Sequence, residues 1–163
     1  MLTPETSQAL ARLFSELTLG TSPQGAYVLN RGDVGLIRSL ERLPAAEASR
    51  SVNGGATIAA HSLHVCYGLS LFNRWASEGG DPFSDAKWDS AWKTTSVDES
   101  AWREIQDGLR KEAAQWLDVL EVPRQVDDIA LTGMIASVVH LSYHIGAIRQ
   151  IGKATRGPQE GTF

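Results

Sequence analysis

The chain has 163 residues, of which 42% are hydrophobic and 21% charged, and a formal net charge of −4. That is the length of one domain with a substantial core, and an acidic balance without any basic run speaks against a nucleic-acid partner. The single cysteine, Cys66, excludes an internal disulfide and fits a reducing cytoplasm. The opening MLTPETSQALARLF lacks the pattern of a signal peptide, and no run approaches the ~18 apolar residues of a membrane span.

Thr3, Pro4 and Glu5 together read as a helix start, with a capping hydroxyl, proline in the first turn and an early acid. Leu10, Leu13, Phe14 and Leu17 recur at helical spacing, and Gly20 stops the run. TSPQGAYVLNRGD reads as a loop, and Asp33 can cap a short helix through Arg42. PAAEASRSVNGG is a connector. Thr57 then opens a helix to about residue 76 that is apolar over much of its circumference, which implies burial. The segment after it, with Phe83, Trp88 and Trp92, is long enough to be functional or packed, folded over a cavity or a partner subunit. Ser96 and Glu99 fit a capping box for a helix striped by Trp102, Ile105, Leu109, Trp116 and Leu120, which Pro123 ends. Asp127 or Asp128 starts a last long helix running to about Ala154. The expectation is all-α: an up-and-down four-helix bundle with one short extra helix over residues 1–155, then a flexible C-terminal tail, 156–163.

All four histidines fall in the two apolar helices: His61 and His64 in ATIAAHSLHVCYGL, His140 and His144 in SVVHLSYHIGAIRQ. Residues three or four apart share a helix face, so each pair points one way. Two stacked imidazoles on a buried face need partners for four nitrogens. A divalent ion takes one nitrogen from each, and neutral imidazole suits zinc, nickel, copper and iron. A single buried histidine is more often hydrogen-bonded to a carbonyl; it is the second helix that supplies a third ligand. Either His61 or His64 can be that ligand, the other acting as proton shuttle or hydrogen-bond partner. Cys66 lies ~200° around the helix from His64 and reads as a small apolar residue rather than a ligand. Tyr67 reads as packing, Tyr143 as pointing away from the cluster, and Arg149 with Gln150 as solvated surface.

Laid out this way, the chain resembles the DinB-like superfamily of metal-binding four-helix bundles. The resemblance rests on Thr57 opening a helix seven residues before His64, and on HLSYHIGAIRQI with His140, His144 and Gly146. It spans roughly residues 3–153. It implies His64, His140 and His144 as ligands of a divalent transition metal (zinc, nickel or iron), with His61 left to relay protons as a catalytic residue. It further implies a small-molecule substrate, such as a low-molecular-weight thiol, for a thiol transferase or hydrolase. Trp75, Trp102 and Trp116 together with the Phe83–Trp92 loop are more than a four-helix core this small is expected to bury. Some of that aromatic surface should then lie outside and form a homodimer interface, which agrees with the pairing of many DinB-like proteins. Departures are the extra His61 and the Trp-rich insertion. Beside the enzyme stands a second reading, a non-catalytic homodimeric metal-binding or stress-related interaction protein.

Overall fold

A computed structural model describes residues 3–159, and within them the only regular elements are helices, apart from one isolated Ser22–Gly25 bridge. The long ones are α1 (Pro4–Leu19), α4 (Ile58–Glu78), α5 (Glu99–Glu121) and α6 (Asp128–Ile151); α2 (Gly35–Glu41) and α3 (Ala45–Ala48) are short, and single 3-10 turns lie at Ala91–Lys93 and Lys153–Thr155. Side chains start each long helix. Thr3, Thr57, Asp98 and Asp127 accept from Thr6, Ala60, Ala101 and Ala130 backbone N–H groups, filling donors that a helix start leaves unpaired. Asp98 takes the role expected of Ser96, and the Glu99 carboxylate reaches instead to the Ala45 N–H. Two short helices rather than one precede α4, because Pro44 starts α3 inside the expected connector.

α1 and α4 each pack against α5 and α6. Their directions follow from which residues meet. Going along α4, Cys66 lies over Gly108 of α5, Asn73 donates to the Glu112 carbonyl, and Trp75 meets Trp116, so α4 and α5 run parallel. Against α6 the numbering runs the other way: His61 meets His144, His64 meets His140, and Phe72 faces Gly133. The C-terminal ends of α1 and α6 both reach Asp33, so that pair is parallel. Strict up-and-down alternation therefore fails. The cause is the connection 79–98, which must return the length of α4, 21 residues or about 30 Å, before α5 can begin beside the start of α4.

The core holds Phe14, Leu17, Leu40, Ile58, Leu109, Leu120 and Met134 together with Trp102 and Trp116. Both indoles bury their rings and satisfy their N–H, Trp102 on the Leu43 carbonyl and Trp116 on Ser137 Oγ at 2.9 Å. Three tryptophans inside so small a core had looked excessive. Two fit, and Trp75 is half-buried. Among the described residues α6 is the one helix long and apolar enough on average to cross a membrane (24 residues, mean hydropathy 1.3), although Thr132, Ser137, His140 and His144 interrupt its apolar run; one side of it packs on α1 and α4.

At the closed end of α6, Arg149 forms an ion pair at 2.8 Å with Asp33, whose side chain is 1% exposed. Asp33 also accepts from the Gly35 N–H, and its carbonyl from Thr21. Gly20 and Gly35 have positive φ (102° and 75°), and a Cβ on either would strike the backbone opposite. Arg149 is thus a structural residue rather than solvated surface. The first residues of the expected tail lie on this end: Arg156 donates to the Arg149 carbonyl and Asn30 to that of Pro158, while residues 160–163 fall outside those described.

Candidate metal centre

The Thr57 hydroxyl caps Ala60 and fixes where α4 begins, so His61 and His64 stand in its first two turns. α6 brings His140 and His144, one turn apart, to the same level from the opposite direction. Nε2 of His140 lies 3.1 Å from Nε2 of His64 and 2.9 Å from Nε2 of His144. One ring nitrogen from each of these three lies within 4.8 Å of the others. His61 is not in the triad. Its Nδ1 sits 2.9 Å from Nδ1 of His144, the nitrogen that faces away from the other two. The structure thus brings all four predicted histidines together and divides them three and one.

Three facing Nε2 atoms make a poor hydrogen-bond network on their own. Each neutral ring carries one proton and one lone pair in its plane. His140 Nε2, between two neighbours, can donate to only one of them, or must share a single lone pair between both. His64 Nδ1 is buried without a well-formed hydrogen bond, the Trp88 backbone lying close enough only to oppose slightly its loss of basicity. A divalent ion resolves the crowding, because it takes a lone pair from every Nε2. With zinc–nitrogen bonds of about 2.1 Å in a tetrahedron, ligand nitrogens would stand about 3.4 Å apart. The two His140 pairs would open by a few tenths of an ångström, and the His64–His144 pair, within 4.8 Å, would settle to the same spacing. Each Nδ1 then carries the proton. That of His144 donates to His61, the arrangement by which a non-ligand group orients a ligand imidazole.

Electrostatics favours the neutral, lone-pair-bearing form throughout. Burial lowers the pKa of His61 and of His140; burial and then the neighbouring His140 and His61 lower that of His64. His144 falls furthest, to about 3, chiefly through burial, with His140, His61 and His64 adding repulsion. Cys66 stays apart: it lies outside the group of three histidines, and burial pushes its thiol up to about 11, with Glu112 adding, so it stays protonated.

The 79–98 connection covers the cluster. Trp92 stacks on His64 with ring centroids 4.5 Å apart and lies 6.0 Å from His144, and its edge meets His61 at 5.2 Å. Trp88 rests 5.6 Å from His64 and touches α4 where Gly68 leaves room. The loop is fastened from α4: Tyr67 Oη accepts from the Lys87 N–H, and Arg74 binds the Pro82 carbonyl and Asp85. The sequence suggested a loop folded over a cavity, but not Tyr67 and Arg74 as its anchors; both stand one helical turn or more beyond His64 on the same helix. Tyr143 is 70% exposed with its ring against His144 at 5.1 Å, so it borders the cluster rather than pointing away. No family model, no curated protein and no solved structure matches the chain.

Proposed function

We propose that the chain is a divalent-metal-binding four-helix bundle of the DinB-like type, in which His64, His140 and His144 hold zinc, nickel or iron. We further propose an enzyme acting on a small molecule by thiol transfer or hydrolysis. The observation that carries the reading is the convergence of three Nε2 atoms that have no satisfactory way to hydrogen-bond one another. Three histidines leave a fourth coordination position open, the pattern of catalytic rather than closed structural sites. Bound there, a divalent ion supplies a lowered pKa for water or a thiol.

The chain's own residues do the rest. His61 holds the His144 ring through Nδ1 and exchanges a proton there. Trp88 and Trp92 screen one side of the cluster from water, which strengthens every charge interaction beneath them. The dimer now rests on α6, whose outer face presents Ile129, Ile135, Val139 and Tyr143, all exposed, since exposed apolar patches mark interfaces. The lone unpaired cysteine supports a cytoplasmic setting.

One observation favours the non-catalytic reading: Trp92 stacks flat on a ligand ring, leaving little room for substrate from that side. Titration with zinc and nickel tests the site. One equivalent is expected to bind the natural chain, and none to bind His64→Ala, His140→Ala or His144→Ala. Retention by His64→Ala with loss in His61→Ala would contradict the assignment. A thiol-transfer and ester-hydrolysis screen, run also on Trp92→Ala, then separates enzyme from binding protein.

A further inference from the structure

The groove between α4 and α6 does not end at the histidines. Phe72 stands eight residues beyond His64, about 12 Å along the helix. Around it opens a cavity of about 470 Å³ lined by Phe72, Trp75, Phe83 and Gly133, with Asp81 and Asp127 at its edge. Its volume falls within the usual range of small-molecule sites. The aromatic wall is held from behind, Phe72 packing on Trp116 with centroids 4.9 Å apart and on Phe83 at 5.0 Å. Gly133 of α6 has no side chain, and a Cβ there would stand 3.5 Å from the Phe72 ring of α4.

The polar groups at this edge are of one sign. Asp127 Oδ1 accepts from the Ala130 N–H at 2.7 Å and Asp81 Oδ1 from the Phe83 N–H at 3.1 Å, so each carboxylate keeps its other oxygen. Neither Asp makes an ion pair among the described residues, and no Lys, Arg or His lines the cavity. The N-terminus of α6 contributes about half a positive charge next to Asp127, leaving Asp81 the larger share of the net negative field. Aromatic faces add to the attraction for a cation.

We propose that this cavity binds an organic cation with an apolar body, an alkyl- or arylalkylamine, its ammonium between Asp81 and Asp127 and its body against Phe72, Trp75 and Phe83. No histidine takes part, so the site stands or falls apart from the metal centre.

Calorimetric titration of the full chain with 4-phenylbutylamine, 4-phenylbutanol and 4-phenylbutyrate tests it, with and without added zinc. The amine is expected to bind roughly three- to tenfold tighter than the alcohol, the gain that two partly exposed ion pairs give, and the carboxylate weakest. Asp81→Asn and Asp127→Asn keep their backbone acceptors, since Asn caps a helix nearly as well as Asp. Each should narrow the preference for the amine, and the double variant should remove it. Gly133→Leu should abolish binding of amine and alcohol alike. The proposal is overturned by no amine binding at millimolar concentration, by equal or tighter binding of the carboxylate, by a preference that survives the double variant, or by unchanged binding in a folded Gly133→Leu.

Discussion

Two polar clusters are built on α6 within two turns of each other. Arg149 and Asp33 close on themselves. The guanidinium meets a carboxylate that also takes a backbone N–H, glycines bring the chain in close, and every group has an opposite to face. His144, five residues earlier, has only imidazoles to hydrogen-bond with, in a group of four kept neutral, with His64 Nδ1 left over. A polar cluster that serves stability spends its hydrogen-bonding capacity internally. One that keeps lone pairs facing a common point costs stability and has that capacity left for a ligand. The difference between the clusters is therefore functional information.

The largest expected effect breaks the closed cluster. Arg149→Met leaves Asp33 charged, buried and unpaired, and removing one member of such a pair costs about 3–5 kcal/mol. Urea unfolding should show the loss, whereas a cost under about 1 kcal/mol would mean that the pair is held as loosely as a surface one.

The open cluster should respond to His61→Ala through the metal rather than the fold. Losing the partner of a ligand imidazole typically costs ~10–100-fold in affinity, or about 1.4–2.7 kcal/mol. Zinc competition against a chelator measures it; an unchanged affinity would make His61 a bystander.

The smallest effect per unit is that of pH on the metal-free protein. The cluster histidines bind protons less readily folded than unfolded, where the value is about 6.5, so between about pH 6.5 and the depressed folded values the unfolded chain holds more protons. Stability contributed by the cluster is thus full above about pH 6.5 and is lost as pH falls, by at most about 1.4 kcal/mol per pH unit for each proton taken up. Equilibrium unfolding at pH 7.5, 6 and 5 should show the decline. It should flatten in a variant with His61, His64, His140 and His144 all replaced by Gln; a slope that persists there belongs to other groups.

Much of the open cluster was legible in the sequence because it is local. Spacings of three and four put His61 with His64 and His140 with His144, and two helices too apolar for water had to bury those faces somewhere. The Thr57 cap and the Asp127 cap were equally readable. The closed cluster was not, because Asp33 and Arg149 are far apart in sequence: Asp33 alone reads as a helix cap, which its bond from the Gly35 N–H partly fulfils, and Arg149 alone as a surface residue. The parallel run of α4 and α5 was hidden for a related reason. Nothing in a loop's composition states how far it must travel, and 79–98 read as an insertion when it is the only way back along α4. Trp102 and Trp116 misled through size: their indole N–H groups find Leu43 and Ser137, which lets both rings lie inside.

That return connection has a consequence for how the chain acquires its shape. α5 and α6, although joined by a link of only six residues, do not pair as a packed hairpin; each packs on α1 and α4 instead. α4 lies alongside α5, and the 79–98 connection has to run the length of α4 for the two to meet. His61 meets His144 and His64 meets His140 across separations of 83 and 76 residues, the non-local kind of contact that costs the most loop entropy to close. An ion held by three of those rings would bind only a chain whose long-range topology is already in place.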